Sequence, residues 1–351
     1  MLNIIEAKIA KMIIHQVGHG GREEQCIFSE TSIVPSESLV SLLLEHYLSP
    51  LSELKEVFEF NHDAIEESVE STPAISTMPN AIAKFSMDIF SASATFHETS
   101  IKIAKHLYSV TNHPNITGGD FIIILFSGIM KAGEETQALG IFKVESKDEY
   151  LDIYDNNGTL EFVEKEGISL KDIQKGALIF EDDASVLAID SLKKRTKYWH
   201  EDFLNLQPKQ TPEAEFRASN DVLRGLTKRI EAPDQRLAFN KNLETHLDEH
   251  EEIRIGDLEN LSKAYIEDQE INRVFHAVQN KSGFELDRNI TMPSDQFREQ
   301  SQNIMKKMRV ANGIDLVISN KDAYLNSIII EETPNGFKAI IDFDTYEPEE
   351  E

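Results

Sequence analysis

The chain has 351 residues, with 62 Asp and Glu against 35 Lys and Arg, a formal net charge of −27 at pH 7. Such acidity favours solubility and opposes non-specific adhesion to nucleic acid or anionic lipid. The single cysteine, Cys26, excludes an intramolecular disulfide framework and fits a reducing cytosol. No apolar run approaches the roughly 20 residues of a membrane-spanning helix, and Met1 to Glu6 lacks the basic-then-apolar order of a signal peptide. The length predicts two domains.

Ala10 to Val17 is apolar and β-branched, Gly18 to Gly21 makes a turn, and Gln25 to Phe28 returns as a second strand. Ser36 can cap a short helix carrying Leu39, Leu42, Leu43 and Tyr47, with Pro50 expected to end it. Val57 to Phe60 reads as a strand. From Pro79 to Ser109 apolar residues recur at helical spacing, and the Ser and Thr cluster at 91–100 predicts a break. Phe121 to Phe126 is an unbroken apolar run, the pattern of a central strand. Gln137 to Val144 follows. Asn156-Asn157-Gly158 lies between two further strands and favours a tight hairpin. Ala177 to Phe180 and Val186 to Ile189 complete about six strands.

Beyond residue 192 a basic and aromatic stretch leads into a mostly helical region. Thr211 can cap a helix with Pro212 at its first position, and Pro233 separates this helix from the next. Strands return at Gly313 to Ile318, Leu325 to Glu331 and Phe337 to Phe343, and the acidic tail after Tyr346 has the composition of a disordered segment. The expected fold class is α+β: an N-terminal sheet with packed helices over 1–191, then a helical region with a small β unit and short acidic tail over 192–351.

Three stretches in this order resemble the bacterial nucleoid-associated protein family (NdpA-like). They are Ile13-Ile14-His15-Gln16-Val17, the strand pair from Gly118-Gly119-Asp120-Phe121 through Leu139-Gly140-Ile141-Phe142 with Leu151-Asp152-Ile153, and Leu192 to Leu204 with its Lys193-Lys194-Arg195-Thr196-Lys197-Tyr198-Trp199. Phe284-Glu285-Leu286 and the Gly313 to Ile341 region carry a looser likeness. The resemblance implies a bacterial protein, nucleoid localisation in the cytoplasm, association with DNA, and no enzymatic reaction or cofactor.

DNA binding by an acidic chain requires its positive charge to be gathered locally. Residues 192–241 hold eleven Lys or Arg and seven acids, a local balance of +4, while the rest of the chain carries −31. Lys193, Lys194, Arg195 and Lys197 adjoin Tyr198 and Trp199, so that cations could meet phosphates and an aromatic could stack on a base. Arg217, Arg224 and Lys228 are spaced seven and four apart, which at about 100° per residue puts them on one helical stripe. Phe216, Leu223, Leu226 and Ile230 fall opposite. These nine, Lys193, Lys194, Arg195, Lys197, Tyr198, Trp199, Arg217, Arg224 and Lys228, form the candidate DNA face. The structural alternative is a solvated charged helix, with Tyr198 and Trp199 anchoring a core. Lys306-Lys307-Met308-Arg309 is a second basic group, expected at a solvated helix end.

Other motifs carry less. His246-Leu247-Asp248-Glu249-His250 matches H-x-x-E-H, where two His on one helix face could hold zinc beside a general-base Glu. The pattern supplies no third ligand, and its acidic neighbours fit a solvated helix. Gly18-His19-Gly20-Gly21 lacks the Lys-Ser/Thr of a phosphate loop, and Cys26 has no charge pattern of a nucleophile. The expectation is therefore a non-enzymatic DNA binder of weak sequence specificity, without metal or membrane association, whose effective affinity a homodimer would raise. The alternative is an acidic protein-interaction module that reaches the nucleoid through DNA-binding partners.

Overall fold

The computed structural model describes residues 2–61, 63–66, 75–78, 80–170, 173–191, 195–311, 314–318, 323–334 and 336–345. It confirms the α+β class and divides the chain into two compact units, Met1–Lys209 and Gln210–Glu351.

The first unit is built on an antiparallel sheet. The Gly119–Lys131 strand pairs with Lys8–Val17 on one side and Glu134–Val144 on the other. Beyond these come Lys175–Phe180, Val186–Asp190, Phe58–Phe60 and Leu206–Pro208. Alternate residues of the apolar run enter different cores: Phe121, Ile123 and Leu125 on one face, Ile122, Ile124 and Phe126 on the other. Burial on both faces explains why the run is unbroken rather than alternating. Helices α1 (Glu37–Leu43) and α2 (Ser49–Ser52), joined by the π-helical turn Leu44–Leu48, supply Leu43, Tyr47, Leu48 and Leu51 to one core. Helices α3 (Ala81–Ser91) and α4 (Phe96–Val110) supply Ile82, Ile89, Phe96, Ile103 and Leu107 to the other.

The expected break lies at Ala92–Thr95 between α3 and α4. Pro50 does not end the first helix. It is the second residue of α2, directly after the π-helical turn Leu44–Leu48, and the helical path runs on through it to Ser52. Gln25 to Phe28 forms a single isolated bridge, Ile27 to Gln16, rather than a strand. The 157–158 turn has φ of 52° at Asn157 and 89° at Gly158, as the Asn-Gly signal predicts. Among the described residues its strands, Asp148–Asn156 and Thr159–Gly167, pair only with each other.

In the second unit α5 (Pro212–Arg229), α6 (Pro233–Glu249), α7 (Ile255–Ser262), α8 (Asp268–Ser282) and α9 (Ser294–Met305) enclose Leu223, Leu226, Phe239, Leu243, Leu258 and Phe297. Thr211 Oγ1 accepts from the Ala214 N–H at 3.2 Å, closing the cap on α5. Gly225 lets α5 and α8 approach, since a Cβ there would stand 2.5 Å from Val274 Cγ1. Two hairpins follow, Lys307–Ala311 with Ile314–Val317 and Ala323–Thr333 with Gly336–Thr345. Gly313, Asn335 and the tail lie outside the described residues.

Candidate nucleic-acid interface

The basic window of 192–241 is divided between the two units. Lys193 and Lys194 lie outside the described residues. Arg195 pairs with Glu56 and lies 5.6 Å from the Phe58 ring centroid. Lys197 is exposed.

Tyr198 and Trp199 are not available to a base. The π-helical turn Lys197–Phe203 carries both inward, and Trp199 is fully buried with its indole N–H donating to the Gly176 carbonyl at 3.1 Å. Tyr198 joins a buried polar network. Lys143 Nζ donates to the Tyr198 hydroxyl at 2.9 Å, to the Thr117 carbonyl at 2.7 Å and to Glu145 Oε1 at 2.8 Å. Burial lowers the Lys143 pKa and Glu145 opposes the shift; burial also raises that of Tyr198. The aromatic half of the cluster, Tyr198 and Trp199, thus closes the core of the first unit.

On α5 the division of faces follows the periodicity. Phe216, Val222, Leu223 and Leu226 are buried, Arg217 is half-buried, and Arg224 and Lys228 are exposed. Part of the positive charge is already spent, because Arg229 pairs with Glu270 and Arg224 lies 3.3 Å from Asp221. Lys209, in the first unit, is held by Asp183 at 2.8 Å.

The second basic group has a different setting from the one expected. Only Lys306 caps a helix, α9, whereas Lys307 and Arg309 stand on the strand that follows. That strand is fixed to α6. Asn240 Nδ2 donates to the Met305 carbonyl at 2.7 Å and Arg236 donates to the Lys307 carbonyl at 3.0 Å. Leu237 packs against the small cluster of Met308, Leu325 and Ile328.

This attachment brings Lys307 and Arg309 to the same cleft as Arg224 and Lys228. The cleft, of about 780 Å³, is lined by these four, Arg236, Glu231 and Asp315, with Thr227, Ile230, Asn303 and Ile304 among the remainder. Five cations against two carboxylates make it locally positive in an acidic chain. Asp315 bridges two of them, with Oδ2 3.0 Å from Lys307 Nζ and Oδ1 3.6 Å from Arg309 Nε. Hydrogen bonding to Lys307 holds the Asp315 carboxyl below the usual range.

Residues 13–338 match the family model described as nucleoid-associated protein YejK. The chain belongs to this nucleoid-associated family. Among curated proteins nothing matches it. The family is bacterial, and membership agrees with the likeness carried by Ile13 to Val17, the central strands and the Leu192 to Leu204 stretch. Among the described residues no helix is long and apolar enough to cross a membrane.

The H-x-x-E-H pattern of this family member does not lie on one helix. His250 follows the last residue of α6 in an extended conformation, stacks on His246 at 4.2 Å and donates from Nδ1 to the His246 carbonyl. Among the described residues no three His, Cys, Asp or Glu side chains form a group able to hold a metal ion.

Proposed function

We propose that this nucleoid-associated protein binds DNA directly, without enzymatic activity, through the basic cleft of its second unit. Arg224 and Lys228 on α5 and Lys307 and Arg309 on the adjoining strand are the contacting cations. The observation that carries this reading is the convergence of two sequence-distant basic groups on one cleft. Side chains of this kind meet backbone phosphates, so sequence preference is weak. The net charge of −27 repels DNA elsewhere on the surface, and a homodimer would offset that repulsion by presenting two clefts. Residence in the cytoplasm at the nucleoid follows from this activity.

The test uses only the purified chain and a labelled duplex. Arg224→Glu with Lys228→Glu is expected to weaken binding strongly; undiminished binding by this folded variant contradicts the assignment. Reversal of Lys193, Lys194 and Arg195 to Glu measures the contribution of the first basic cluster.

A second reading, recruitment through DNA-binding partner proteins, has one observation in its favour. The Asp148–Gly167 hairpin exposes Leu151, Ile153, Leu160 and Phe162, an apolar ladder among acidic side chains suited to a basic partner. This reading predicts no DNA binding by the purified chain.

A further inference from the structure

The innermost cation of the cleft differs from the others. Arg236 is half-buried in the first turn of α6, and one of its terminal nitrogens is spent on the Lys307 carbonyl at 3.0 Å. Its Nε is buried and has no hydrogen-bond partner among the described residues. A buried donor left unsatisfied is costly, more so on a charged group. Burial lowers the pKa of this guanidinium, Asp315 opposes the shift and Arg309 adds to it; the group remains a cation.

Lys307 and Arg309 lie beside it and share one carboxylate, Asp315, which offsets only one of their two charges. Arg309 and Asp315 face each other in the register of the hairpin, so Asp315 is held in place by the backbone. It therefore acts as a tethered internal anion. A backbone phosphodiester carries a single charge and gains little by displacing such a carboxylate. A phosphate monoester carries about −1.5 to −2 at neutral pH and three acceptor oxygens. It can satisfy more donors than Asp315, and the planar fork of arginine suits it. The volume of about 780 Å³ falls in the range of small-ligand sites.

We propose that Arg236, Lys307 and Arg309 form a seat for a phosphate monoester, carried by a nucleotide or by a phosphorylated nucleic-acid end, which binds in competition with the Asp315 carboxylate. This deepens the DNA-binding reading and rests on the same cleft. Of the four contacting cations, Arg224 and Lys228 meet internal phosphates of the nucleic-acid backbone, while Lys307 and Arg309, together with Arg236, hold the phosphate at its end. Asp315 sets a threshold that favours dianions over diesters.

Calorimetric titration of the full chain tests the seat, with deoxyadenosine 5′-monophosphate and deoxyadenosine as probes. The monophosphate is expected to bind and the nucleoside not; equal binding of both overturns the proposal. Arg309→Gln, at an exposed strand position, is expected to weaken monophosphate binding about tenfold, the loss of one charge-assisted contact. Asp315→Asn is expected to tighten it several-fold. A folded Asp315→Asn variant with unchanged or weaker binding refutes the competition. Two linear duplexes, one with 5′-phosphate ends and one with 5′-hydroxyl ends, separate the sources. Preference for phosphorylated ends assigns the seat to nucleic-acid termini, and no preference with nucleotide bound assigns it to free nucleotides. Closed-circular duplex, which has no ends, reports the DNA reading alone. Loss of circle binding with the monophosphate still bound overturns that reading and keeps the seat; the reverse overturns the seat only.

Discussion

Lys143 Nζ lies 2.9 Å from the hydroxyl of Tyr198, and both groups are buried. This bond ties the basic-aromatic stretch to the central sheet and gives Lys143 one of its three partners. Thr111 Oγ1 meets the same hydroxyl at 2.8 Å. Lys143→Met should therefore cost about 3 kcal/mol of unfolding free energy, because it leaves Glu145 and Tyr198 short of a partner. Denaturant titration checks this, and a neutral result would mean that Lys175, 3.0 Å from Glu145, suffices as counter-ion.

Trp199 fills the core of the first unit, so its truncation should act on stability rather than on recognition. Trp199→Ala is expected to cost about 3–5 kcal/mol. Its affinity for DNA, measured below the unfolding midpoint, should stay at the wild-type value. Weaker DNA binding by a fully folded Trp199→Phe variant would instead point to a stacking role.

Gly225 tests the close approach of α5 and α8. Helix propensity alone predicts a gain of about 1 kcal/mol for Gly225→Ala. The 2.5 Å separation of the new Cβ from Val274 Cγ1 predicts the opposite, a net loss of about 1–3 kcal/mol from overpacking. The sign of the shift in melting temperature decides between them.

Acid should destabilise the first unit through His15. Its Nδ1 accepts from the Ser29 N–H at 3.2 Å, so Nε2 carries the proton and donates to Ser100 Oγ at 3.0 Å. Burial, reinforced by His97, lowers its pKa from 6.5 to about 4. The unfolded chain thus takes up the proton first. Stability is full above pH 6.5 and falls as the pH drops towards 4, by up to ~3 kcal/mol. His15→Gln should flatten this part of the pH–stability curve, and an unchanged slope would assign the acid sensitivity to other groups.

Most of the fold was legible because its signals are local. The apolar run at Phe121 to Phe126, the caps at Ser36 and Thr211 and the Asn-Gly turn each depend on a few neighbouring residues. Pro50 misled because proline disfavours a helix interior, yet the helical path from Leu44–Leu48 runs on through it to Ser52. The candidate site was half legible. Periodicity placed Arg224 and Lys228 outward on α5. It could not pair them with Lys307 and Arg309, because that meeting depends on the bonds from Arg236 and Asn240 to the 305–307 backbone. Nor could it place Tyr198 and Trp199, whose inward aim comes from a π-helical turn.

The salt dependence of duplex binding by the purified chain tests the central claim most directly. If the cleft binds DNA, log K falls linearly with log salt concentration, and Arg224→Glu with Lys228→Glu makes that slope shallower by about 2. Absence of binding at low salt, or a slope unchanged in the folded variant, would contradict it.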